Sequence, residues 1–234
     1  MRVLTIVNQE DAGPGVFAEA AADAGHELVE WIPSAGPPPE LDGHGAAMVF
    51  GGAMNVDEEG AHPWLRDVQQ LIGELVARGT PVLGVCLGAQ LLSDAVGGAP
   101  GRASRPEIGW HDVELTSQAR DDPVIGALPA RFEAFQWHSY EAAPPESAQV
   151  LACSPVCVQA FRAGERAWGI QFHAEVDEAI VTAWLDDYDK DADAVRLGID
   201  PGELLTETRA KIARWTELGR GLSGRFLQLA ADLP

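Results

Sequence analysis

Cys86 stands between two glycines in the stretch Gly84-Val85-Cys86-Leu87-Gly88, where an apolar run gives way to a helical pattern. A cysteine inside a strand merely fills space. The same residue on a tight strand-to-helix turn is a nucleophile elbow. The glycines permit the sharp turn and close backbone approach, and the turn lifts the thiol clear of the sheet. The first N–H groups of the following helix then favour a thiolate. They can also bind the oxyanion formed when sulfur attacks a carbonyl, each good donor contributing roughly 3 kcal/mol. Leu87 N–H is the natural first donor, and the Gly51-Gly52 turn offers a second.

A nucleophilic thiol needs a base, and the base needs a group to orient it. His26, His44 and His62 fall at element boundaries, where surface or capping roles suffice. His111 lies in a strand-like stretch beside Asp112, and His138 and His173 follow aromatic-rich strands. Only His173 has a carboxylate two residues on, Glu175, in "GIQFHAEV". In extended chain, residues i and i+2 share a face, so Glu175 can fix the His173 tautomer and stabilise an imidazolium.

These residues need a scaffold, and the first half of the chain alternates strand and helix signals. "RVLTIVN", "HELVEWI", "AAMVFGG" and "PVLGVCL" read as buried strands. "GVFAEAAADAG" reads as a helix stopped by Gly25, and "HPWLRDVQQLIGELVARG" as an amphipathic helix with Pro63 near its start. Such alternation implies an α/β fold, a three-layer doubly wound sheet of mostly parallel strands, flavodoxin- or Rossmann-like. Ligands on such sheets bind beyond the carboxyl ends of the strands, where Cys86 and Gly51-Gly52 fall. The second half carries strand-like stretches with short turns from "IGWHDVELT" to "RAWGIQFHAE", predicting an antiparallel extension. From about residue 177 the pattern is helical, with the last stretch predicted as two helices broken near Gly219-Gly221.

Composition narrows the function classes. The 234 residues carry a formal net charge of -20, which repels nucleic acid and anionic membranes. No apolar run is long enough to cross a bilayer, and the start "MRVLTIVNQ" shows no signal-peptide pattern. Three cysteines are too few for a disulfide framework, so a reducing, cytoplasmic setting is expected. Cys153 and Cys157 read as ordinary strand residues. Asp187, Asp189 and Asp191 have calcium-loop spacing, but Ala192 and Gly198 stand where glycine and glutamate are needed. No metal site and no cofactor is expected.

"GVCLGAQLL" together with "GIQFHAEV" resembles the class I glutamine amidotransferases, a family with a Cys-His-Glu triad. "FGGAMNVDEEGAHPWL" and "EIGWHDVELT…FQWHSY" resemble the stand-alone branch near the glutaminase half of GMP synthase. The resemblance covers roughly residues 1–185, leaving 186–234 as a helical extension packed on the same domain. It implies Cys86 as nucleophile, His173 as general base and acid, and Glu175 as orienter. It further implies that Gln90, Ser139 and Tyr140 contact a glutamine or γ-glutamyl substrate and that Gly52 completes the oxyanion hole. Ala174 replaces the proline usual between the triad histidine and glutamate, and "FGGAM" replaces Pro-Gly-Gly-Pro.

The activity implied is hydrolysis of the glutamine side-chain amide through a γ-glutamyl thioester. No Gly-x4-Gly-Lys-Ser/Thr loop is present, so any synthetase receiving the ammonia is a separate subunit. A free-standing γ-glutamyl peptide or amine hydrolase or transferase, and a non-catalytic regulatory module on the same fold, stay open. So does a homo-oligomer. A cysteine α/β-hydrolase fits poorly, because those enzymes place the acid before the histidine.

Overall fold

The computed structural model describes residues 1–233. In chain order the strands are β1 (Arg2–Ile6), β2 (Glu27–Trp31), β3 (His44–Val49), β4 (Val82–Val85), β5 (Gly101–Leu115), β6 (Arg131–Glu141), β7 (Gln149–Cys153), β8 (Val158–Ala163) and β9 (Ala167–Ile170). The helices are α1 (Val16–Asp23), α2 (Trp64–Ala77), α3 (Leu87–Ala95), α4 (Glu178–Asp186), α5 (Ala192–Leu197) and α6 (Pro201–Ala231). All nine strands form one sheet in the order β2-β1-β3-β4-β9-β8-β7-β5-β6. From β2 to β9 neighbours run parallel; from β9 to β6 they run antiparallel.

Period-two alternation decides which side chain enters which layer. Along β1 and β3, Val3, Ala46 and Met48 join the core beneath α1 and α6, whereas Leu4, Ile6, Ala47 and Val49 join the one beneath α2 and α3. Leu65, Val68, Leu71, Ile72 and Leu75 form the buried stripe of α2. The sheet is thus sandwiched as the strand–helix alternation predicts. No helix among the described residues is long and apolar enough to cross a membrane.

Two readings need correction. β9 was expected within the antiparallel extension, but it inserts beside β4 and runs parallel to it, with Val85 paired to Ile170. Its apolar sequence suits any buried strand, and its choice of partner is non-local. The final stretch is one continuous helix, ~46 Å long at 1.5 Å per residue. Asp200 caps it, its Oδ1 accepting from Gly202 N and Glu203 N at 2.8 and 3.0 Å. Gly219 marks a close approach rather than a break: a Cβ there would lie 2.0 Å from Ala174 O.

Candidate functional site

β4 and β9 exit the sheet side by side, and Cys86 N donates to Ile170 O at 2.8 Å. Cys86 follows with φ 52° and ψ -112°, an unfavourable backbone conformation for a non-glycine residue, costing about 1–3 kcal/mol. The turn can form because α3 rides directly on β3: a Cβ on Gly88 would sit 2.0 Å from Val49 O. The N–H groups of the first turn of α3, Leu87 first, have no intrahelical acceptor, and the helix starts directly after Cys86.

His173 and Glu175 lie just beyond the end of β9, in a loop rather than in the extended strand the sequence suggested. The pairing holds nonetheless, with His173 Nδ1 2.7 Å from Glu175 Oε1. Nδ1 therefore keeps its proton and donates it to the Glu175 carboxylate, which leaves Nε2 for Cys86. The Glu175 Oε2 atom finds no donor among the described residues. A Cβ on Gly51 would meet His173 Cε1 at 3.3 Å and Cys86 Cβ at 3.5 Å, so thiol carbon and imidazole share one glycine floor. Gly52, the residue expected to supply the second oxyanion donor, is next in the chain and packs against Met54, Asn8 and Gln9.

Cys86, His173 and Glu175 are 6%, 3% and 1% exposed. Burial pushes the His173 pKa down, but Glu175 and the Cys86 side chain together push it up by more, to about 10. The site therefore stabilises an imidazolium next to sulfur.

The histidine loop is clamped on all sides. His173 N donates to Phe135 O at 2.9 Å and Trp215 Nε1 donates to His173 O at 2.8 Å. Val16 N, opening α1, donates to Glu175 O at 2.9 Å. The Trp184 ring stands edge-on to the imidazole with centroids 4.8 Å apart.

The remaining expected residues gather at the same rim. Gln90 is buried, its Nε2 3.2 Å from Tyr140 O and 3.4 Å from Gln171 Oε1. Ser139 Oγ donates to Asp193 Oδ2 at 2.5 Å, and the Tyr140 hydroxyl to Asp57 Oδ2 at 3.3 Å. Sequence reasoning missed Gln171, whose Nε2 lies 3.6 Å from Cys86 Sγ, and the Trp137 carbonyl 3.9 Å from that sulfur. Gln171 stands two residues before His173, on the alternation that singled out Glu175, and that was the available signal. An open cleft lined by Asp57, Arg66, Leu91 and Asp94 lies beside the rim and does not include Cys86 or His173.

Cys157 is not the ordinary strand residue expected. It precedes β8, and its sulfur lies with Glu107 and His138 in one buried cluster, their potential ligand atoms within 4.8 Å of one another. Glu107 Oε2 is ringed by donors: Gln159 Nε2 at 2.8 Å, Ser154 Oγ at 3.0 Å and the Cys157 thiol at 3.8 Å. Burial, followed by the Glu107 charge, pushes the Cys157 pKa far up. The donors around Glu107 let the cluster solvate its anion.

A family model described as glutamine amidotransferase class-I matches residues 29–180. The chain belongs to this family. It is 30% identical over 181 residues to the glutamine amidotransferase-like protein YfeJ of Salmonella typhimurium, covering 75% of this chain and 76% of that protein. It is 33% identical over 143 residues to the glutamine-hydrolysing GMP synthase of Aeropyrum pernix, covering 60% of this chain but 27% of that longer enzyme. A glutamine amidotransferase from Thermotoga maritima superposes with a TM-score of 0.87 at 28% identity, over 97% of this chain and 98% of that one. The amidotransferase's structural likeness thus extends through α5 and α6.

Proposed function

We propose that this amidotransferase-family protein hydrolyses the side-chain amide of L-glutamine, with Cys86, His173 and Glu175 as its triad. The observation that carries the reading is the strained Cys86 elbow beside an imidazole held by a buried carboxylate. The Cys86 thiolate attacks the amide carbon, and Leu87 and Gly52 N–H groups hold the resulting oxyanion. The C–N bond breaks as His173 Nε2 gives its proton to the departing nitrogen, releasing ammonia and leaving a γ-glutamyl thioester. His173 then takes a proton from water as its oxygen attacks the thioester, and glutamate leaves as the thiolate is regenerated. Glu175 keeps the ring oriented throughout. Gln90, Ser139 and Tyr140 form the substrate rim, Ser139 and Tyr140 through backbone atoms, since both hydroxyls already have carboxylate partners.

The 234 residues carry no Gly-x4-Gly-Lys-Ser/Thr loop, so any acceptor of the ammonia is activated outside them. Purified protein should release glutamate from glutamine, and Cys86→Ala should abolish release. Undiminished turnover by that variant removes Cys86 from the mechanism. Faster turnover of γ-glutamyl amines than of glutamine would replace the ammonia-supplying role with that of a free-standing γ-glutamyl hydrolase.

A further inference from the structure

The β5–β6 ladder is interrupted between Arg102 and Glu107 by a bulge opposite Ser139, and resumes where Glu107 pairs with His138. Bulges often re-aim side chains beside active sites. Glu107 and His138 are 1% and 5% exposed, and Nε2 of His138 lies 3.3 Å from Glu107 Oε2. Burying two such polar groups is costly, and an apolar pair would join two strands at least as well.

His138 has a second contact, through its other ring nitrogen. Its Nδ1 lies 2.9 Å from the Tyr140 carbonyl, which can only accept, so Nδ1 carries a proton. Nε2 lies against Glu107 Oε2 without the alignment of a hydrogen bond, so the two buried groups meet as close polar neighbours. Burial pushes the Glu107 carboxyl up, but His138, Ser154 and His111 together pull it down by more, keeping it ionised opposite that ring. The Tyr140 carbonyl also receives Gln90 Nε2, which reaches Gln171, which reaches Cys86.

We propose that the Glu107–His138 pair is a positioning device. Glu107 orients His138, His138 holds the Tyr140 carbonyl, and the 137–140 rim of β6 is thereby fixed against Gln90 and the Cys86 sulfur. The kinetic part rests on the glutaminase reading.

The test compares three full-length variants by hydrogen–deuterium exchange and kinetics. His138→Gln places an amide near the Nε2 position and strips the ring donor from Tyr140; His138→Asn places one near Nδ1 and keeps that donor. Cys157→Ser alters the Glu107 cluster without touching the rim. Exchange at residues 137–141 should rise about tenfold in His138→Gln and stay near wild type in the other two. KM for glutamine should rise about tenfold in His138→Gln with kcat within about twofold, and His138→Asn should recover most of the loss. If His138→Gln does not fold, Glu107→Gln, which removes the orienting charge and leaves the ring donor, should raise exchange and KM in the same direction by a smaller factor. Unchanged rim exchange, or equal effects from His138→Gln and Cys157→Ser, would overturn the proposal. So would a stoichiometric metal ion lost on His138 substitution. Wild-type protein inert toward glutamine would sink the glutaminase reading instead, and rim exchange would still decide whether the pair holds β6.

Discussion

At the scale of single residues, the backbone of Cys86 and the ring of His173 matter most. The strained turn fixes the sulfur before substrate arrives, and the buried Glu175 carboxylate holds the imidazole. Glu175→Gln keeps the shape and removes the charge; kcat should fall by about 10²–10⁴-fold with a smaller change in KM, read by steady-state glutaminase assays. The pKa of His173 is raised from 6.5 to about 10. Its contribution to stability is therefore complete below about pH 6.5 and is lost as pH climbs through about 10. The imidazolium persists over the same range, so the His173 ring proton signals in NMR should hold their charged-ring positions to about pH 9. In Glu175→Gln that alkaline limit should move to lower pH. A limit that does not move would show that Glu175 does not support the charge.

At the scale of elements, the histidine loop is set by helices far away in sequence. Gly219 lets α6 touch the carbonyl of Ala174, and Trp215 holds the carbonyl of His173 from the same helix. Gly219→Ala forces a Cβ toward that backbone oxygen. Overpacking of about 1–3 kcal/mol should outweigh the ~1 kcal/mol alanine offers a helix, lowering both melting temperature and kcat. Trp215→Phe keeps most of the packing and loses one buried donor. A loss of about 1–3 kcal/mol in denaturant titration is expected, with kcat reduced because the loop loosens.

The same elements show how far the sequence could be read. β1, β3, β4 and their helices carry their pattern locally, and the elbow carried its own glycines. The place of β9 was not legible, because "RAWGIQFHAE" suits any buried strand and its neighbours are decided elsewhere in the chain. The unbroken α6 was not legible either, since a helical glycine reads as a weak point until its packing partner is known. Glu107, Gln136 and Gln159 had one signal: polar side chains inside apolar strands, buried together with hydrogen bonds linking them.

At the scale of the whole molecule, the segment after α4 is tied back onto the rim of the site. Asp191 caps α5 and accepts from Trp137 Nε1 at 2.9 Å; Asp193 accepts from Ser139, Arg102 and Arg196. The Ser139 and Arg196 hydrogen bonds, with Arg102, hold the Asp193 carboxyl down at about 2, against burial. That stability is present above about pH 3.8 and lost as pH falls through about 2. Asp193→Ala should melt below wild type at neutral pH, and the gap should close as pH falls from 4 to 2. The net charge of -20 acts on the same scale. Most ion pairs are exposed and worth little, so screening should mainly relieve self-repulsion. Half-molar salt should raise the melting temperature by about 2–4 °C, as scanning calorimetry would register.

The insertion of β9 between β4 and β8 also has a consequence for synthesis. Until residues 167–175 have left the ribosome, the growing polypeptide holds its sulfur with no base to awaken it and bares a hydrophobic flank of β4 to any passing strand. A truncated product ending before Ala167 should therefore be chemically silent and prone to clump. Reactivity is withheld until His173 and Glu175 have emerged to face Cys86.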